Sequence, residues 1–502
     1  MGSSMKVILV CKTISTEHID GSERNQQDAD FRVYQWKLGV RHVQGVLLST
    51  ALVVTHMQLG NIGIAVVIIT HDDQLSEWKR IFYTPRADPN VDKVSLITGS
   101  FFYSQMICSI LGGYLSTKIN NKILLLTVTC IGVMTSYLTP TLVTFFEWKA
   151  FFFVRLVQGA AQGFVKPLVY NMAARWLPTS EMRLMGPGII CGLYMGMCFM
   201  LMMGGYLGAG KGGWASIFYF SANCGLLWII AFYGLGFVSP NDCFYISDLE
   251  KDHINNNVPR SVLKPYRHNI PWKMIFTNIP LFALLICHFA NNWALHCFIK
   301  IMPLYLQQKN NLELHQTGII CGSPFMLSCF NVYATTAFFH YLWRRGQLNH
   351  VVVRHVCNAI AQFGAAYCFM LCSASESLVL TLVFHHLGLI LSAFQLFGFY
   401  MNFYDLSPTY VGLTSGIVGG IANVGSVVGP HFTLKMYNQY GTNFHEWLAD
   451  REFKGWRLAY DIVSLNYFIA GTAFMFLGEV KEQPFDKSEE TSIIKRVKLN
   501  LP

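Results

Sequence analysis

Charge is what this chain has little of. Only 13% of its 502 residues are Asp, Glu, Lys or Arg, about half the share found in soluble domains, whereas 53% are hydrophobic and the mean hydropathy is +0.37. That balance excludes a soluble enzyme and leaves a chain that crosses a membrane many times. The formal charge of +9 does not argue for nucleic acid, because the position of the basic residues along the chain accounts for it. Ligand clusters are lacking too. The fourteen cysteines lie in or near apolar runs or connecting segments, and none falls in the two longest outward loops, so no disulfide framework is expected. The sixteen histidines are scattered, without the spacing of a zinc site. Paired carboxylates and nucleophile motifs are absent, which makes a membrane-embedded enzyme the least favoured reading. Lys6 stands where a myristoylation signal needs Ser or Thr. The apolar stretch at Val7–Val10 is too short for a signal-peptide core. Inside the apolar runs there is no deep Asp or Glu; Glu147, Asp405 and Asp461 all lie at ends.

Those runs fall at 42–70, 96–116, 123–144, 150–172, 184–207 and 214–238, then at 273–303, 315–340, 351–372, 378–403, 412–433 and 459–478. A helix needs about twenty apolar residues to cross the hydrocarbon layer. The expected fold is therefore an all-α membrane protein of twelve transmembrane helices in two pseudo-symmetric six-helix bundles. Its parts would be a tail (1–41), an N-terminal bundle (42–238), a central loop (239–272) carrying Lys251, Arg260, Lys264 and Arg267, a C-terminal bundle (273–478) and a second tail (479–502). An even number of spans puts both termini on one side. With the termini cytoplasmic, Lys and Arg favour that side about two to one, as the positive-inside rule requires. The loops 71–95 and 434–458 then face outward, and they contain no glycosylation sequon. Both tails are expected to be solvated, and Glu489–Ile494 faintly matches an acidic dileucine signal.

Span 4 carries two cations, Arg155 and Lys166, in an apolar helix. A bare cation at bilayer depth costs about 2.5–3.5 kcal/mol on insertion scales, so it seeks a partner or a watery cavity. Eleven residues at about 100° each make roughly three turns, which would place both on one face, with Gly159 and Gln162 near the same stripe. Such a face suits the passage of an anion. The competing reading is that each cation snorkels to a different interface. Lys300, three residues before Pro303, reads as an interface residue. Without acids, a proton carrier would have to be histidine, whose ordinary pKa near 6.5 permits it. His288, His296, His385 and His386 are the candidates, and His288, Asn292 and His296 share one side of span 7. For each of them, a hydrogen-bonded packing role is the competing reading. A sodium ion would instead use backbone carbonyls and amides at helix breaks.

The halves echo each other. Gly188, Gly192 and Gly196 stand four apart in span 5, as Gly412, Gly416 and Gly420 do in span 11, and Gly99-Ser100 in span 2 answers Gly322-Ser323 in span 8. Similar offsets point to a duplicated unit, with a central site between the halves. The glycine pairs of spans are expected to slide during an access switch.

Several stretches carry a family resemblance: WKLGVRHVQGVLL from Trp36, GSFFYSQ and ILGGYLSTK in span 2, RLVQGAAQGFVKPLVYNMAARWLP in span 4, HFANNWALHCFIKIMPLYLQ from His288, and GFYMNFYDLSPTYVGLTSGIVGGIANVGSVVGP from Gly398. Over residues 36–484 the chain resembles the anion:cation symporter family of the major facilitator superfamily, which includes sodium–phosphate cotransporters, sialin-like carriers and vesicular glutamate transporters. Its motifs are most similar to those of the insect inorganic phosphate cotransporters. The resemblance implies alternating access, with Arg155 near the substrate anion. Asn291, Asn292 and Trp293 match the family's span-7 stretch; Asn402, Asp405 and Pro408 match N-x-x-D-x-x-P in span 10; Asn423 matches the span-11 asparagine. Departures are informative as well. Leu59 replaces a span-1 arginine, Gln162 a span-4 glutamate linked to proton coupling, and Leu111 and Asn120-Asn121 break the usual loop glycines. Thr98 and Asn291 stand where glutamate carriers have histidine and arginine, which speaks against glutamate as the substrate.

The expected function is secondary active transport of a small anion, inorganic phosphate or an organic anion, with sodium-coupled phosphate symport leading. The substrate-binding set would be Arg155, Lys166, Gln162, Asn291, Asn292 and Trp293, with His288 and His296 as coupling candidates. Gly188, Gly192, Gly196, Gly412, Gly416, Gly420, Asn423 and Asp405 would serve gating and packing. No cofactor or metal is expected beyond a coupling sodium ion or proton. The partners are the anion, that cation and the lipid bilayer, with no nucleic acid and a monomeric state. The plasma membrane is preferred over a lysosomal or vesicular one. The alternatives are a degenerate transporter acting as a sensor or scaffold, and an uncoupled anion uniporter.

Overall fold

The computed structural model describes residues 38–69, 90–263, 270–310, 312–346, 349–440 and 452–486. Nearly every described residue in the apolar runs is helical, because backbone polar groups in hydrocarbon must be satisfied within their own segment. Ten described segments are long and apolar enough to cross a membrane. One of them, Asn121–Trp176, has 56 residues, or about 84 Å of helix against a layer of about 30 Å, so it crosses twice. It turns at Glu147, the one described non-glycine residue with positive φ (50°). Together with Asn90–Leu115, this makes twelve crossings.

Span 1 is Val40–Ile69 and span 2 Asn90–Leu115; spans 3 and 4 share Asn121–Gly163, and span 4 continues through Val165–Trp176. Span 5 is Thr179–Ile190 with Gly192–Ala209, and span 6 is Gly213–Leu235. Spans 7 and 8 are Ile279–Asn310 and Leu314–Arg344. Span 9 runs from His350 to Ala374, and span 10 combines Leu378–Ser392 with Phe399–Leu406. Span 11 is Val411–Ala422 with Val424–Tyr440, and span 12 is Glu452–Leu477.

The segments expected as solvated loop and tail are docked where they are described. Central helix Asp248–Asn257 lies against the N-terminal half. The Glu250 carboxylate there accepts the backbone N–H groups of Val40 and Arg41. Arg41, fully buried, donates to Glu181 at 2.7 Å and to Glu250 at 3.1 Å, while His253 lies 3.0 Å from Glu181. After span 12, Asp486 accepts from Ser407 Oγ and from the backbone N–H groups of Thr409 and Tyr410, and the Gln483 N–H donates to the Leu406 carbonyl. These contacts anchor residues that a hydropathy reading assigns to water. The dileucine-like stretch lies outside the described residues.

Four spans carry a local irregularity in mid-membrane. Span 4 is perturbed at Phe164, where Pro167 has no N–H for the Gly163 carbonyl one turn back, although Phe164 keeps helical angles. Span 5 is perturbed at Cys191 and span 11 at Asn423, both also in helical angles, and span 10 leaves the α-helix over 393–398, with Gly398 at φ −84° and ψ −116°. The halves meet along spans 2 and 11 and along spans 5 and 8. A Cβ on Gly412, Gly416 or Gly420 would lie 2.6–2.9 Å from span 2 or span 4 atoms of the other half. The span-5 triplet behaves differently from expectation. Gly192 and Gly196 press on the Ser49 and Val53 carbonyls of span 1 in their own half, and Gly188 meets nothing closer than Tyr333 at 3.8 Å. Span 5 crosses to span 8 instead through Gly205, whose Cβ would sit 2.7 Å from the Leu314 carbonyl and 3.0 Å from Gly318 Cα. The shared spacing of the triplets is therefore not a structural equivalence. The span-11 glycines precede the irregularity at Asn423, whereas Gly192 and Gly196 follow the one at Cys191.

Candidate functional site

The two lines of contact close the centre from both faces. Toward the termini, Tyr170 stacks on Tyr404 and its hydroxyl donates to the Tyr400 carbonyl. Toward the opposite face, Gly63 abuts the Ile299 carbonyl and Gly205 abuts Gly318. Between these seals lie two adjoining cavities of about 20 Å³ each, water-sized. They share Gln105, Lys166, Asn292, Tyr400 and Asn423. One adds Gln162, Tyr170 and His288; the other adds His56, Tyr194, Asn291 and His296. No carboxylate lines either.

The expected pair of cations is not brought together. Lys166 lines both cavities, with Gln162 one turn before it in one of them, whereas Arg155 lies eleven residues and about 16 Å back along the same helix and lines neither. Arg155 is buried within the N-terminal half. Its Nη1 donates to the Gln58 carbonyl at 3.1 Å and to Gln158 Oε1 at 2.7 Å, and its guanidinium lies 4.7 Å from the centre of the Phe101 ring. Gln158 is held in turn by Ser136 Oγ at 3.0 Å. Gln162, which lines a cavity, donates to Gln58 Oε1 at 2.8 Å, so Arg155 sits one layer behind the cavity wall. Nη1 is thus committed to two neutral acceptors of the protein, while Nε has no hydrogen-bond partner among the described residues. Lys300 rests over Phe102 at 4.8 Å. Lys166 is the cation of the cavity, and among the described residues no hydrogen bond or carboxylate meets its ammonium.

Span 7 supplies the opposite wall. Asn292 Nδ2 donates to Asn423 Oδ1 at 3.1 Å, which ties spans 7 and 11 at the irregularity. Asn291 joins a web in which Gln395 Nε2 donates to Asn291 Oδ1 at 2.8 Å and to the Tyr194 hydroxyl at 2.6 Å. Asn291 Nδ2 reaches the Tyr400 hydroxyl at 3.2 Å. The bond between Gln395 and Tyr194 crosses from one half to the other. Trp293, expected at the site, points away and packs on Gly429 and Phe432 of span 11. His385 meets the Tyr460 hydroxyl and His386 meets Ser323 Oγ, both inside the C-terminal half. Asp405 pairs with Arg354 at 2.6 Å on the termini face.

Sequence reasoning missed His56, Gln105, Tyr194 and Tyr400. His56 carried the same signal as His288, a histidine inside an apolar run. The others are indistinguishable from packing residues until the packing of the spans is known.

A helical bundle of twelve crossings around a closed polar centre has the form of a membrane transporter. The chain belongs to the Major Facilitator Superfamily, whose profile matches residues 48–430. Vesicular glutamate transporter 2.2 of Danio rerio is 23% identical over 438 residues, covering 86% of this chain and 72% of the relative. Human vesicular glutamate transporter 2 is 23% identical over 442 residues, covering 86% and 73%. These relatives fall in the anion:cation symporter group that the motifs resemble. Among solved structures, the proton:xylose symporter XylE superposes with a TM-score of 0.65 at 12% identity, covering 89% of this chain and 98% of XylE. The human organic anion transporter MFSD10 gives 0.57 at 14% identity, covering 86% and 99%. Both show the shared fold.

Proposed function

We propose that this protein is a secondary active transporter of small anions, inorganic phosphate or an organic anion, coupled to sodium or protons at the plasma membrane. The observation that carries the reading is the centre between the halves: the Lys166 ammonium, which among the described residues has no hydrogen bond or carboxylate partner and is surrounded by amides, phenols and imidazoles. A cation desolvated without a counter-ion is costly, and an anion bound beside it removes that cost. Gln105, Asn292 and Tyr400 supply neutral donors that fix orientation without adding charge. Closure on both faces around a water-sized space corresponds to an occluded state, so either seal must part to admit a substrate. Parting the span 2–span 11 seal opens the termini face, and parting the span 5–span 8 seal opens the other. The relatives include glutamate carriers, but Thr98 and Asn291 stand where those carriers have histidine and arginine, which favours another anion.

The test is uptake of labelled phosphate and of a panel of organic anions into proteoliposomes, with sodium, proton and voltage gradients imposed separately. Gradient-driven uptake that Lys166→Met abolishes supports the reading. Ligand binding without flux would make the chain a sensor, and flux indifferent to every gradient would make it a uniporter.

A further inference from the structure

The cavity holds a group whose chemistry complements Lys166. His296 Nδ1 lies 2.7 Å from the Asn292 carbonyl, which can only accept, so Nδ1 carries the hydrogen. In the neutral ring Nε2 is then a bare lone pair. That atom is buried with no partner among the described residues, and the side chain lines the cavity that also contains Lys166. Asn292, the residue that fixes the tautomer, is itself fixed by Asn423, and the ring meets the edge of Phe102 from the other half at 4.4 Å. The imidazole is thus oriented by contacts from spans 2 and 7.

An anion in this cavity would meet a lone pair at Nε2, which repels it. One proton added there turns the same atom into an N–H donor aimed at the anion. Resting on the transporter reading above, we infer that His296 takes up one proton with each anion, and that this ring replaces the carboxylate missing from span 4, where Gln162 stands. The proton comes from water admitted on the open face and adds to the Nε2 lone pair, giving an imidazolium. It returns to water on the other face when the anion leaves. Proton and anion are linked because each removes the other's burial cost. Lys166 from span 4, Lys300 from the same helix and His56 from span 1 are the charged or titratable groups around the ring, with the phenols of Tyr194 and Tyr400 in the same cavity. The two lysines and His56 can only add positive charge, so a second proton is held off until an anion balances it. That order makes the coupling tight.

His288 also has an unpartnered Nε2, but it sits among Phe399, Tyr400 and Phe403 with no carbonyl fixing its tautomer among the described residues. His56 has its Nδ1 on the Leu52 carbonyl at 3.1 Å and is the serious competitor.

The experiment uses the full chain in proteoliposomes, with labelled phosphate and labelled lactate as probes, and compares two readouts: uphill accumulation driven by an imposed proton gradient, and counterflow with equal pH on both sides. His296→Gln is expected to lower the ratio of driven uptake to counterflow at least tenfold. His386→Gln, outside the cavity, serves as the folding and handling control. Loss of the ratio in His56→Gln with retention in His296→Gln would overturn the assignment. Uptake driven by sodium and indifferent to the proton gradient would overturn proton coupling while leaving anion transport standing. Absence of counterflow for both anions in the unmodified protein would overturn the inference together with the transport reading.

Discussion

Two buried cations in one span lead to opposite expectations when each is replaced by methionine. At Lys166 the ammonium would pair directly with a substrate anion. At about 4 Å and an effective dielectric of about 20, that attraction is about 4 kcal/mol before desolvation is counted. Lys166→Met is therefore expected to weaken anion binding by about two to three orders of magnitude. It should leave the protein as stable as before or more so, since an uncompensated buried charge has been removed. Arg155→Met is different. It deletes hydrogen bonds at 3.1 and 2.7 Å and a cation–π contact, leaving Gln58 O and Gln158 Oε1 short of donors at about 1–3 kcal/mol each. Relief of the buried charge offsets part of this, for a net loss of stability of about 1–3 kcal/mol. Standing behind Gln162, Arg155 acts on the anion at longer range, so its loss should weaken binding by less than about tenfold. The assay is anion-induced thermal stabilisation of the purified protein in detergent, with the melting temperature of the unliganded variants as the stability readout. If Arg155→Met abolishes binding at an unchanged melting temperature while Lys166→Met binds normally, the assignment of the cavity cation is wrong.

On the termini face, burial pushes the Asp486 carboxyl up to about 6 from an ordinary 3.8, although backbone N–H donors from Thr409 and Tyr410 oppose the shift. The docked form holds its proton more tightly than the released form. Docking of residues 479–486 should therefore be strongest below pH about 4, weaken as pH rises to about 6 and stay level above that, as hydrogen exchange of the Thr409 and Tyr410 amides would report. Asp486→Asn should flatten the dependence. Arg41→Ala leaves Glu250 buried without its cation and is expected to cost about 3–5 kcal/mol, measured as a fall in melting temperature; a loss under 1 kcal/mol, about what a surface pair contributes, would contradict the burial. Gly416→Val drives a side chain into the Ser109 carbonyl and Gly113 at 2.6–2.9 Å. It should hold the termini face open, seen as faster maleimide labelling of an introduced Tyr170→Cys; unchanged labelling would show that this seal can give.

The sequence alone determined the number of crossings and the absence of deep acid. Those follow from composition and span length, and the bilayer enforces them residue by residue. It also placed Lys166, Gln162, Asn291, Asn292, His288 and His296 among the candidates, because polar residues in apolar runs are costly enough to be conspicuous. The tertiary structure decided which of them meet. Helical spacing puts Arg155 and Lys166 on one face but about 16 Å apart along the axis; the cavity lies at the level of Gln162 and Lys166, which leaves Arg155 among the amides of its own half. Trp293 follows Asn292 directly in sequence yet faces span 11 instead of the cavity. The glycine triplets of spans 5 and 11 look alike in spacing, but one packs within its half and the other across the boundary, since close approach depends on the neighbouring helix as much as on the glycines. The Asn292 carbonyl that holds His296 Nδ1 is one helical turn back, but that Nε2 is left without a partner among the described residues, beside the cavity of Lys166, depends on the neighbouring spans.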